Sequence, residues 1–241
     1  MNKVTTRIIV ITFNNKIQPW EVPQFRGGII NKVGIEHDWF HNHNNQAEPP
    51  KFLYRYPLIQ YRYHNGNPQL ICIQNGVEEV QQLFSQSDWE IRIGDRTEQL
   101  SIKDLNLKAI DVELVNHLCN YQLQHWLPFN SQNLERYKVL EYEIDRIQFL
   151  EKILTGHLLA FAEGIGWQVD NQFNVRIKRI VKQKIVPYKY TKMLSFNIDF
   201  TVNAKLPFQA GIGQGASRGF GLLNVPTNVL RGKGKSKQAL S

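Results

Sequence analysis

The chain has 241 residues, 42% of them hydrophobic and 21% charged, enough to bury one large core or two of ordinary size. Its 29 Lys and Arg against 21 Asp and Glu give a formal net charge of +8, which favours a polyanion, nucleic acid before membrane, as partner. No run approaches the roughly 18 to 20 apolar residues of a membrane span, and Ile8 to Phe13 is too short for the apolar part of a secretory signal. A cytoplasmic protein with no membrane contact is therefore expected. Cys72 and Cys119 are far apart with no CxxC pairing, which excludes a disulfide scaffold and a zinc finger.

Thr5 to Phe13 is rich in β-branched residues and predicts a first strand ended by Asn14 and Asn15. Pro23 near the start and Gly34 just past the end suit a short helix over Gln24 to Val33. His37 to Pro50, dense in Asn, His and Pro, has no apolar period and predicts a loop. Phe52 to Tyr63 and Leu70 to Gln74 are strand-like, and the Asn65-Gly66 turn between them signals a hairpin. Val77, Val80 and Phe84 are spaced three and four, which predicts a second helix; Trp89 to Ile93 and Thr97 to Ile102 then complete a β-α-β-β-α-β order. That order is ferredoxin-like, an antiparallel sheet backed by two helices.

The second half starts the same plan again. Ile110 to Phe129 is strand-rich, and from Leu134 to Ile165 the apolar residues step by three or four throughout, which predicts one long helix ended by Gly164 and Gly166. Strands are expected at Phe173 to Val186, Met193 to Val202 and Phe220 to Val225, with Lys205 to Arg218 where a second helix should stand. The expected fold is α+β, two tandem ferredoxin-like (RRM-like) domains at 1–107 and 108–228, the second lacking its second helix. Residues 229–241 form a basic, Gly- and Ser-containing tail expected to be disordered.

Three segments carry chemistry. Between Asn171 and Lys192 lie seven basic residues and no acidic one. On a period-two strand Arg176, Lys178, Lys182 and Lys184 share one face while Val175, Ile177, Val181 and Ile185 share the other. The missing counter-charge favours phosphate contact over a merely solvated face, and Tyr188 and Tyr190 offer stacking surfaces. The second segment, Gly211 to Gly221, has five glycines in eleven residues. Amides at Gly211, Gly213 and Gly215, with Ser217 and Arg218 as donors, could approach a phosphate closely; a tight structural turn is the even alternative. It matches G-x-G-x-x-A by spacing, but no acidic residue follows Asp199, which excludes a dinucleotide site.

The third segment is His37-x3-His41-x-His43. Histidines suit RNA cleavage at neutral pH, one imidazole taking the 2′-hydroxyl proton and another protonating the leaving 5′-oxygen. A metal site is the weaker reading, since only Glu36, Asp38 and Glu48 lie near and no cysteine does. A chance cluster on a polar loop is the bland one.

The end of the chain, Phe196 to Val225 with its Gly-Ile-Gly-x-x-x-Ser-x-Gly-Phe-Gly run, resembles the C-terminal glycine-rich motif of the RAMP superfamily of CRISPR-associated proteins. Pro23-x-Phe25-Arg26-Gly27, His41-Asn42-His43-Asn44 and Tyr54-x-Tyr56-Pro57-Leu58-Ile59-Gln60-Tyr61 resemble the branch of its crRNA-maturing endoribonucleases with a histidine pair after the first helix. The resemblance implies tandem ferredoxin-like domains and cleavage of CRISPR precursor RNA within repeats, without metal or other cofactor, leaving a 2′,3′-cyclic phosphate. It places His41 and His43 in the catalytic position, with Lys51 and Tyr54 as supporting groups, and puts Arg26 with the RNA-binding residues. Implied partners are the repeat RNA and other CRISPR effector subunits, with the chain a monomer or homodimer. The competing readings are a catalytically silent RAMP subunit that holds crRNA, which has no need of His41 and His43, and a metal-dependent nuclease built on His37, His41, His43 and Glu36.

Overall fold

A computed structural model describes residues 3–41 and 55–226, together with the backbone of 43–44 and 51–52. The basic tail and Tyr54 lie outside the described residues, as do the side chains of His43 and Lys51. The first unit opens with β1 (Lys3–Phe13), followed by α1 (Val22–Val33) with Pro23 in its first turn. After a single 3-10 turn at Asp38–Phe40 come β2 (His43–Asn44), β3 (Lys51–Phe52), β4 (Ile59–His64) and β5 (Asn67–Ile73). Two short helices, α2 (Asn75–Glu79) and α3 (Gln81–Phe84), lead to β6 (Glu90–Ile93), β7 (Arg96–Gln99) and β8 (Ile102–Trp126). The turn between β4 and β5 has left-handed φ at Asn65 and Gly66, 49° and 86°, the twist a two-residue hairpin needs.

The strands of this unit run β4-β5-β1-β8, all antiparallel. That is the ferredoxin order, but one assignment differs from expectation. Trp89–Ile93 and Thr97–Ile102 do not supply the closing strand; β6 and β7 form a hairpin of their own and the first half of β8 closes the sheet. The alternation of Ile91 and Ile93 is satisfied by burial against α1, in the core that holds Phe25 and Ile29. Gly28 allows that approach, since a Cβ there would stand 2.6 Å from Arg92 O.

The second unit takes the far half of β8, then α4 (Ser131–Lys138), α5 (Glu143–Gly164), β9 (Arg176–Tyr188), β10 (Thr191–Lys205) and β11 (Leu222–Asn224). Its order, β11-β8-β10-β9, is again ferredoxin-like. The second helix is replaced by the glycine segment, which contains one 3-10 turn at Ala216–Arg218. One strand thus serves both units, and the boundary expected at 107/108 falls inside it. The single helix expected over Leu134 to Ile165 is two. Steps of three and four conceal a phase slip, because Ile144 is exposed while Tyr137 turns in against Phe129 and Phe196. Arg146 holds the break by donating from Nε to Leu140 O at 2.9 Å.

β1 is buried on both faces. Ile9, Ile11 and Phe13 meet α1, whereas Ile8 and Val10 join Leu150, Leu154, Leu158 and Phe161 of α5 and Trp126, Phe196 and Phe200 of the second unit. The second helix layer therefore packs across both units and joins them through a shared apolar core. Among the described residues no helix is long and apolar enough to cross a membrane.

Candidate nucleic-acid interface

His41 follows the 3-10 turn and is buried at 8% exposure, not set on an open loop as its polar neighbours suggest. Its Nε2 stands 2.8 Å from Ile35 O. A carbonyl only accepts, so Nε2 carries the hydrogen, and Asp38 Oδ1 lies 3.9 Å from the same nitrogen. The turn is fixed from two sides: Tyr61 donates from its hydroxyl to Phe40 O at 3.2 Å, and Arg26 Nη2 donates to His41 O at 3.0 Å. Beyond it the backbone of His43–Asn44 pairs with Lys51–Phe52, which sets Lys51 opposite Asn44 and Phe52 opposite His43.

Arg26 leads from this turn to the second unit. Burial holds its guanidinium below the usual range, with Tyr61 opposing that shift and Arg218 adding to it. Lys189, in the turn between β9 and β10, is likewise lowered by burial and then by Arg218 and Arg26. Three cations from α1, the glycine segment and the β9–β10 turn thus share one locality. Neither Arg26 nor Arg218 has a salt bridge among the described residues, and Arg26 Nε is buried with no hydrogen-bond partner there. Desolvated like charges held together this way favour an anion between them.

The glycine segment is first of all a clamp between the units. Gly211 donates its N–H to Gln60 Oε1 at 2.8 Å, Tyr56 donates its hydroxyl to Gly211 O at 2.8 Å, and Gln60 Nε2 donates to that hydroxyl at 2.8 Å. Buried Arg62, lowered by burial to about 10, donates to Gln209 O. The Gly211 amide, expected to approach a phosphate, is thus committed to the fold. The amides of Gly213, Gln214, Gly215 and Ser217 are different: among the described residues they have no hydrogen-bond partner, and all four residues border a groove of about 750 Å³ between the units.

The basic strand departs from strict alternation. Register shifts at Asn197/Ile198 and Asp199/Phe200 put bulges in β9, so Ile177 and Ile180 pack on the core while Val181 and Ile185 stay exposed. The segment also has counter-charges from elsewhere in the chain. Arg176 Nη1 meets Glu151 Oε2 at 3.2 Å, and Arg179 meets Asp199 at 2.5 Å. Lys178 Nζ donates to Asn120 Oδ1 at 3.0 Å. Lys182 is exposed and Lys184 half-buried, and both face His125, held below its usual value by burial and then by those two lysines.

The structure therefore gathers Arg26, Arg218 and the His41 turn, and leaves Lys182 and Lys184 on a separate stretch of surface. Arg55 and Trp39 carry no local signal in the sequence, because their neighbours come from distant segments, and Lys189 stands in the basic run with nothing to mark it off from the other six. Among the described residues no three His, Cys, Asp or Glu side chains converge as a metal site.

Two ferredoxin-like units fused through one strand, with a glycine clamp and a seam of clustered cations, define a RAMP-type architecture. Its family follows from comparison: the model of the Cas6b N-terminal domain matches residues 3–111, and that of the Cas6b C-terminal domain matches residues 113–225. The chain belongs to the Cas6b family. A crystal structure of Cas6b is similar at 27% identity and a TM-score of 0.79, over 92% of this chain and 100% of the other. A second, of the CRISPR RNA processing endoribonuclease Cas6b, shares the fold at 24% identity and a TM-score of 0.67, over 91% of this chain and 98% of that one. An uncharacterized protein of Methanocaldococcus jannaschii is 28% identical over 137 residues, 51% of this chain and 92% of the relative.

Proposed function

We propose that this chain is an endoribonuclease that cleaves CRISPR precursor RNA within its repeats, without a metal. The observation that carries the reading is the seam where Arg26 joins the His41 turn to Arg218. A phosphodiester drawn to those cations lies beside the histidine loop. In the proposed reaction the 2′-oxygen attacks the adjacent phosphorus and the bond to the 5′-oxygen breaks. One histidine takes the 2′-hydroxyl proton and the other gives a proton to the leaving 5′-oxygen, leaving a 2′,3′-cyclic phosphate and a 5′-hydroxyl. Lys51 and Tyr54 are proposed to support the charge that develops on the phosphate.

The test is to incubate the protein with labelled repeat RNA in excess chelator and identify the product ends. Cutting at one site with a cyclic phosphate end is expected; a need for added metal, or a 3′-hydroxyl product, would overturn the mechanism. The burial of His41 favours one other reading, a subunit that holds crRNA in an effector complex without cutting it, and that protein would bind the repeat in this assay and leave it intact.

Lys178, Lys182 and Lys184 are proposed to contact phosphates farther along the RNA. Changing all three to Ala should weaken repeat binding and flatten its salt dependence, by about 0.7 to 0.9 in the log-log slope for each phosphate no longer neutralised. Cleavage at saturating protein should change much less. Titrations over a range of salt that give the wild-type affinity and slope would leave these lysines as ordinary solvated groups.

A further inference from the structure

The groove between the units differs in character from the cationic seam. Its walls include Trp39 from the turn before His41, Arg55, Asn130, Asn133, His157 and Glu163, with Gly213 to Ser217 along one edge. Among the described lining residues one guanidinium and one carboxylate offset each other, and none is a lysine. Such a lining suits a neutral, flat, hydrogen-bonding group better than a phosphate. Arg55 lies over the Trp39 ring with Cζ 3.8 Å from its centroid, a planar stack of the kind on which unpaired bases rest.

His157 supplies the directional element. The Trp126 indole N–H donates to its Nδ1 at 3.0 Å. Indole nitrogen is a donor only, so Nδ1 must be the accepting nitrogen and the ring hydrogen sits on Nε2. Burial lowers His157 to about 4, so the ring stays neutral near physiological pH. Gly213 is what lets the chain pass over this pair: a Cβ there would stand 2.7 Å from His157 Nδ1 and 2.8 Å from Trp126 Nε1.

We propose that this groove holds one unpaired nucleobase of the bound RNA, stacked on the Arg55–Trp39 pair, with His157 Nε2–H donating to an acceptor atom on the base edge. His157 is then a specificity-determining residue, and the nucleotide it holds is anchored beside the histidine loop because Trp39 belongs to the turn that carries His41. The inference rests on RNA being the substrate. It adds a place where base identity is read, distinct from the cations that hold phosphates.

The test is a protein–RNA cycle using the repeat RNA of the organism's own CRISPR array, made as a set with one abasic position in each molecule. With wild-type protein, one abasic position should weaken binding about tenfold. His157→Asn keeps an acceptor for the Trp126 N–H but removes the Nε2 donor. It should lose about the same factor on intact repeat and lose little more when the abasic position coincides with the base held. Arg55→Ala should single out the same position, and keeps the test decisive if His157→Asn folds poorly. Histidine ¹⁵N spectra at pH 7 should show His157 protonated at Nε2 and bare at Nδ1. Penalties that add at every position, or a bare Nε2, would overturn the groove reading while leaving repeat binding and cleavage in place. A wild-type protein that binds no repeat RNA would overturn the proposed function and this inference together.

Discussion

Replacing His43 with Ala is expected to slow single-turnover cleavage of repeat RNA by at least about a hundredfold, with repeat affinity unchanged. A positioned acid or base contributes typically 10²- to 10⁴-fold, about 2.7 to 5.4 kcal/mol of barrier. His41 calls for a different substitution, because its ring is buried and donates to Ile35 O. Truncating it removes that hydrogen bond from the turn, so lost activity could reflect a loosened turn. His41→Gln offers an amide N–H for the carbonyl but neither acid nor base, and should fold, bind and still cut at least about a hundredfold more slowly. The double variant should be nearly inactive, with losses that need not add, since both groups act in one transition state. His64, exposed at the end of β4, is the control, and His64→Ala should cut normally. Wild-type rates in both loop variants would remove the histidines from the mechanism and turn attention to Lys51 and Tyr54.

Gly221→Ala should destabilise the protein by more than about 3 kcal/mol, or prevent folding, although it adds only a methyl group. Gly221 has φ +66°, and a Cβ there would overlap Ile212 O. A left-handed alanine alone costs about 1 to 2 kcal/mol, and here the clash adds to it. Neither chain can easily yield: Ile212 donates to Gly221 O at 2.7 Å and Gly221 donates to His125 O at 3.1 Å. Gly156 is the counterpart. It lies exposed inside α5 with nothing within 4 Å of an added Cβ, so Gly156→Ala should stabilise by about 0.5 to 1 kcal/mol. Urea unfolding of the two variants separates the cases, and a Gly221→Ala protein as stable as wild type would mean that the glycine segment is not the clamp between the units.

The distinction matters for how glycine-rich runs are interpreted. Five glycines in eleven residues suggested amides laid bare for a phosphate, but the Gly211 amide serves Gln60, and Gly221 is required by the close pass of its own chain. The amides without partners among the described residues lie between these two points, at Gly213 to Gly215 and Ser217. Composition marked the segment, and only packing divided it into a clamped part and an open part.

Local chemistry determined a good deal by itself. β-branched runs, the Asn65-Gly66 turn and the recurrent apolar period gave the two ferredoxin-like units in order, and the missing second helix of the second unit was visible as a glycine segment where a helix should stand. The motifs around Arg26, His41 and Gly211 pointed to the family to which the chain belongs. What the sequence could not determine were features set by partners distant along the chain. Steps of three and four do not reveal a phase slip, so α4 and α5 read as one helix; a strand's alternation does not reveal bulges, so β9 read as a clean basic face. Counter-charges cannot be counted within a window when Glu151 and Asp199 arrive from another helix and strand. His41 looked exposed because its neighbours in sequence are polar, and it is buried because Arg26, Ile35 and Tyr61 close around its turn. Tertiary structure alone brought Arg26 to Arg218 and set His157 against Trp126, because burial, like-charge proximity and hydrogen-bond direction depend on where segments far apart in sequence meet.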